Sequence, residues 1–172
     1  MPYYAIEFNA AGEGIGLHVY QEEPASYPTN ELPCTEAQAQ TPMLWNNVNG
    51  VLTESLSAIQ SAQIALVTKG YEAAIAAPVT YKTAAGVTAM FSTDAKAVSY
   101  LQGVIAAGSA AWTANLWLSN AGAVITPFSF ADVQGLAAAI EAVDTPEYQE
   151  LLKLIGEIDA ATTVSAVQSI IW

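Results

Sequence analysis

Nothing between Thr53 and Ala77 breaks a helix, and Pro78 then does. This stretch is the strongest constraint in the chain, because a helix that long must bury an apolar stripe to be stable. Leu52, Leu56, Ile59, Gln63, Leu66, Gly70 and Ala73 are spaced alternately by four and three residues, the spacing of a heptad seam. A second apolar line runs through Ile64, Val67, Tyr71 and Ile75. Two stripes call for neighbours on both sides, supplied within the domain, by a second copy or by a partner. Gly70 costs about 1 kcal/mol against alanine in a helix interior, which predicts a close approach or a bend there.

The residues before this helix read as β structure. Tyr3 to Phe8 and Ile15 to Tyr20 flank a turn cluster containing Gly12 and Gly14, a hairpin pattern. Residues 21–34, with Pro24, Pro28 and Pro33, read as an extended loop. Thr35 and Gln38 have capping-box spacing and predict a short helix ending before Pro42. Met43 to Val48, Asn49-Gly50 and Val51-Leu52 predict a second hairpin, since Asn-Gly suits the left-handed dihedrals of a tight turn.

An internal echo follows the helix. Val79–Thr83, a turn ending at Gly86 and Val87–Phe91 form one hairpin, and Ser92-Thr93-Asp94 supplies a cap for a helix to about Ala107. Asn115–Ser119, a turn ending at Gly122 and Ala123–Phe128 form another, with Ser129 capping a helix to about Val143. These predict two ββα units whose strands join in one sheet. Asp144-Thr145-Pro146-Glu147 reads as a fresh cap with proline at the first helical position. A further short helix begins near Thr162 or Thr163, and the closing Ile170-Ile171-Trp172 predicts a buried Trp172. The expected class is α+β: an acidic β-rich head over residues 1–52, a long helix over 53–78 and an α+β domain over 79–172.

Charge excludes some functions. The chain of 172 residues carries 16 acids against four lysines, with no arginine and a formal charge of −12. Phosphate contacts dominate nucleic-acid affinity, so a polyanion without arginine predicts no nucleic-acid partner and no anionic-membrane partner. The charge is lopsided: seven acids and no base lie in residues 1–68. No apolar run reaches the roughly 18 residues of a membrane span, and Met1-Pro2-Tyr3-Tyr4 lacks the basic and apolar regions of a signal peptide. A soluble protein made in a cytosol is expected. A single cysteine, Cys34, leaves no intramolecular disulfide.

Catalytic patterns are thin. The one histidine, His18, sits in a predicted strand between Leu17 and Val19. Cys34 follows Pro33 with no basic neighbour to lower its pKa, and one Cys plus one His falls short of a zinc set. Gly12-Glu13-Gly14-Ile15-Gly16 lies between two strands, whereas a phosphate loop opens a helix. No acid pair stands out as a glycosidase couple. The expectation is no enzyme, no cofactor and no metal. The residues that suit protein contact are aromatic and apolar: Tyr3, Tyr4, Tyr20, Tyr27 and Trp45 in the acidic part, with Leu56, Ile59 and Leu66 on the helix.

Tyr71-Glu72-Ala73-Ala74-Ile75-Ala76-Ala77-Pro78-Val79 with Tyr81, Thr83 and Gly86-Val87-Thr88 resembles the opening of a domain of unknown function found in tail-fibre-associated proteins of phages and prophages. Pro127-Phe128, Asp132-Val133-Gln134-Gly135-Leu136-Ala137 and Ala160 through Gln168, closing on Trp172, continue that resemblance, which covers about residues 55–172. The start, from Tyr3-Tyr4-Ala5 to Asn49-Gly50, resembles the N-terminal region of tail-fibre assembly proteins. The resemblance implies a protein that binds a phage tail fibre, itself trimeric, as an assembly chaperone in the host cytoplasm. A structural adaptor or tip module on the virion tail, touching other tail parts or the host receptor, is the alternative it implies. Self-association through the 53–77 helix is compatible with both. No catalytic residues come with it.

Overall fold

The computed structural model describes residues 2–172 and is of the α+β class expected. Its contacts define two compact units, Met1–Leu66 with Leu154–Ile171, and Val67–Lys153 with Trp172. The boundaries at 66/67 and 153/154 fall inside long helices, α2 (Leu56–Ile75) and α4 (Phe130–Ala160).

The first unit holds a three-stranded antiparallel sheet in the order β2-β1-β3, built from β1 (Tyr3–Phe8), β2 (Gly14–Tyr20) and β3 (Glu31–Cys34). The first two strands are the expected hairpin. The third corrects the reading of 21–34 as loop throughout: its last four residues pair with β1, setting Pro33 opposite Ala5. A proline is tolerated there because β3 is an edge strand and one side of its backbone needs no ladder partner. Helix α1 (Glu36–Ala39) starts at the expected capping box, with Thr35 and Gln38 bonding each other's backbone N–H. A 3-10 turn at Pro42–Leu44 then leads into β4 (Trp45–Val48) and β5 (Val51–Glu54). Asn49 (φ 53°) and Gly50 (φ 81°) make the left-handed two-residue turn between them. Ala5, Ile6, Phe8, Ala39, Ile59, Leu154, Ile158 and Val167 are buried in this unit.

Helix α2 forms where expected, yet its buried face is not the heptad seam. Ile59 and Val67 are buried and Gln63, Gly70, Tyr71 and Ala74 half-buried, while Leu66 is 60 % exposed and Ala73 is exposed too. The buried stripe follows the four-residue spacing 59, 63, 67, 71, which winds about 40° around the helix at each step. In the first unit Gln60 donates to the carbonyls of Ile158 (2.9 Å) and Ala161 (3.2 Å), and Gln63 donates to that of Ile170 (2.6 Å). Gln60 adds a second donor to the Ile158 carbonyl, which also accepts from Ala161 N–H, and the two glutamines supply donors to the Ala161 and Ile170 carbonyls just beyond the ends of α4 and α5. Helix α5 (Val164–Gln168) begins at Thr163, whose hydroxyl accepts from Ala166 N–H at 3.2 Å.

The second unit holds the echo. The hairpin β6 (Val79–Lys82) and β7 (Thr88–Phe91) precedes α3 (Ala95–Ala107), and β8 (Trp117–Leu118) and β9 (Val124–Ile125) precede α4. The turns repeat bond for bond: Thr83 and Ser119 each accept the Gly86 or Gly122 N–H on the carbonyl, and the Val87 or Ala123 N–H on the hydroxyl. The strands do not join into one sheet as expected; they remain two separate ribbons tied by one backbone bond, Asn120 N–H to Met90 C=O at 2.7 Å. With only two residues, β8 and β9 are too short to extend a ladder. The core gathers Phe91, Leu101, Ile125, Phe128, Val133 and Leu136.

Two further expectations are corrected. Helix α4 does not end near Val143 but runs through Pro146. Asp144, expected as the new cap, instead accepts the Tyr71 hydroxyl at 2.6 Å, and Pro146 forfeits its own backbone bond within a helix whose flanks bury Val133, Leu136 and Leu151. Trp172 is held but not core. It is 39 % exposed, edge-on to Tyr71 at 6.2 Å, and lies against Gly70, where an added Cβ would stand 2.7 Å from Trp172 Cδ1. That close approach is the one Gly70 predicts.

Candidate partner-binding surfaces

Side chains on a strand alternate between faces, so Glu7, His18, Tyr20 and Glu31 share one face of the N-terminal sheet, with Leu17 and Val19 on the other and Ile15 at the register shift before them. The first face carries a polar clamp. Buried Glu31 on β3 accepts from His18 Nδ1 and from the Tyr20 hydroxyl (2.6 Å), both reaching across β1 from β2. The hydrogen bond to Glu31, then burial, pushes the Tyr20 phenol up to about 12. Tyr27 packs edge-on against Tyr20 at 5.7 Å and 85°. Glu7 lies 3.9 Å from His18 Nε2 and accepts from Asn30 Nδ2 at 3.2 Å. One carboxylate thus orders an imidazole and a phenol and ties β2 to β3. Among the described residues, no trio of His, Cys, Asp or Glu is placed to hold a metal ion. Burial raises the Cys34 thiol pKa, the opposite of what a thiolate nucleophile needs.

The second face is apolar and only partly covered. α1 packs on β1 and β5 on β3, leaving Ile15 50 %, Leu17 41 % and Val19 49 % exposed on β2. The 3-10 turn packs against β2, with the Pro42 carbonyl against Gly14, and β4 reaches the start of the strand through a bridge between Asn46 and Glu13.

The second unit has its own concave surface along α3. Two open grooves of about 740 and 520 Å³ meet at Lys96, Tyr100 and Ala114. Their aromatic wall is continuous: Trp117 stacks on Phe128 at 5.6 Å and tilts against Tyr100 (5.4 Å) and Trp112 (5.8 Å). Trp112 Nε1 donates to the Phe128 carbonyl at 2.8 Å, fixing that wall. Beside it Asp94 accepts from Ser92 Oγ and from Ala97 N–H, and these bonds hold its carboxyl below the usual range.

The residues singled out from sequence for partner contact have mixed placements. Tyr3 is exposed at the end of β1 and Tyr4 half-buried, while Tyr20 and Tyr27 belong to the clamp. Trp45 is half-buried, its Nε1 enclosed without a hydrogen-bond partner. On α2, Ile59 is taken up by its own unit's core, Leu56 is half-buried, and Leu66 is exposed. The apolar row of β2 and the Tyr100–Trp117 wall were not singled out. The absence of Lys, Pro, Asp and Glu from β2 marks an unguarded strand in the sequence, but not whether its apolar face is covered. Comparison of the chain with protein-family models, with curated proteins and with solved structures finds no match.

Proposed function

We propose that this is a non-enzymatic protein that binds a phage tail fibre as an assembly chaperone. The observation that carries the reading is the division of charge between the two units. The seven acids of residues 1–68 all fall in the first unit, and Glu157 and Asp159 join them, with no lysine or arginine among them. All four lysines fall in the second unit. A surface of one sign steers association and selects partners of the opposite sign. Together with the resemblance to tail-fibre-associated proteins, this supports the first unit as the fibre-facing part. Co-expression with the fibre polypeptide of the same genome, followed by affinity capture, tests it. Co-purification and a larger soluble fibre fraction are expected; an uncaptured fibre whose solubility does not change overturns the reading.

The adaptor reading is favoured by the Tyr100–Trp117 grooves, because a second concave surface on the second unit suits a protein that joins two parts. Proteomics of purified virions separates the two. Absence supports the chaperone, and a stoichiometric copy number supports the adaptor.

A further inference from the structure

We propose that the outer edge of β2, residues 15–20, is the docking site for an extended segment of another polypeptide, apolar at alternate positions and basic at both ends, which adds as a fourth strand. The inference deepens the fibre-binding reading and rests on it only for which chain carries the segment.

Two open features coincide on this strand. In the order β2-β1-β3, β2 has a ladder partner on one side only. Among the described residues, no backbone hydrogen bond outside that ladder engages residues 15–20. Leu17 and Val19 also stand exposed on one face, with Ile15 exposed at the register shift just before them. Strand addition draws affinity from main-chain bonds and specificity from alternate side chains, and β2 leaves both available. Sheet edges are normally guarded by charge, proline or a bulge. The opposite edge, β3, carries Glu31 and Pro33. On β2 the irregularity lies at Ile15, where the register shifts between Glu7 and Phe8, and residues 16–20 pair regularly and carry no Lys, Asp, Glu or proline.

Charge selects the occupant. Exposed Glu13 precedes β2, and exposed Glu22 and Glu23 follow it, in a unit with no lysine or arginine. A second copy pairing antiparallel about Leu17 would bring Glu13 of each copy toward Glu22 of the other, which is repulsive at both ends. A strand ended by Lys or Arg meets acids at both ends. Six residues of pairing and three side chains fall well short of a standard interface of about 1,600 Å², so an isolated segment binds weakly and in a salt-dependent way.

The test uses three short synthetic peptides on the full chain: valine alternating with threonine and ended by lysines, the same core ended by glutamates, and a lysine-ended version with its valines clustered. Fluorescence anisotropy gives the affinities, and amide hydrogen exchange locates the contact. The expected result is slowed exchange at residues 15–20 with the alternating lysine-ended peptide, and binding at least about tenfold weaker for the other two. Leu17→Lys and the more exposed Val19→Lys each weaken it by a similar factor while the circular dichroism stays unchanged. Protection elsewhere, equal binding of all three peptides, or full binding by both folded variants overturns the proposal. So does a dimer in sedimentation that Leu17→Lys dissociates, since a second copy then holds the edge. Fibre capture that survives both variants removes the site and leaves the fibre reading standing. Protection of β2 by the peptide with no fibre capture by the wild type does the reverse.

Discussion

Asp132 organises the second unit from a buried position. Its carboxylate accepts from Ala84 N–H (2.7 Å), Ser129 N–H (2.8 Å), Ser129 Oγ (2.6 Å) and the Tyr81 hydroxyl (3.3 Å). Burial alone would push its pKa up, but these donors outweigh burial and hold it below the usual carboxylate range. The unfolded chain therefore takes up this proton first as pH falls, and the stability Asp132 contributes is lost below about pH 4. Asp132→Asn turns an amide toward donors and should cost about 1–3 kcal/mol near neutral pH, with a smaller deficit near pH 3; paired urea melts at the two pH values measure this. At the alkaline end, Tyr71 is pushed up to about 12 by its bond to Asp144, as Tyr20 is by Glu31. Both should ionise last in an ultraviolet titration, and their contribution is complete below about pH 10 and lost as pH climbs through their folded pKa. Glycines make a further contrast. A Cβ at Gly135 would stand 2.9 Å from two ring carbons of Tyr81 and closer still to its hydroxyl, while one at Gly103 meets nothing within 4 Å. Gly103→Ala should stabilise by up to about 1 kcal/mol, and Gly135→Ala should destabilise by about 1–3 kcal/mol, both read from denaturation midpoints.

At the scale of elements, α4 is the sharpest case. Pro146 lies inside a 31-residue helix, and an interior proline costs about 3 kcal/mol relative to alanine. Pro146→Ala should therefore raise stability, by an amount up to that figure, and leave the helical circular dichroism equal or greater. If the helix instead restarts at Asp144, the substitution removes a favourable first-turn proline and lowers stability. What was legible in the sequence here was local chemistry. Thr35 with Gln38, Asn49-Gly50, Ser129 and Thr163 each specify their own turn or cap within four residues, and each forms. What was not legible depends on neighbours distant in sequence. Glu31–Cys34 becomes a strand only because β1 is there to pair with it. The buried face of α2 is set by what packs on Val67 and Tyr71, not by heptad spacing. Asp144 is drawn from capping by Tyr71. Of the candidate surface, the acidic bias and the tyrosines were legible. The exposed row of β2 was not, because an alternating strand looks the same whether its apolar face is covered or open.

At the scale of the molecule, the lopsided charge is sharper in three dimensions than along the chain. The C-terminal residues that join the first unit add Glu157 and Asp159 to it and bring no lysine. Among the described residues, no helix is long and apolar enough to cross a membrane. The charge asymmetry supports the proposed association of the acidic unit with an oppositely charged protein surface. The most direct test is sedimentation of the purified chain with purified fibre at low and high ionic strength. The account predicts a complex at low salt that weakens steadily as screening shortens the reach of surface charge. No complex at either salt, or one whose affinity does not change with salt, would contradict it.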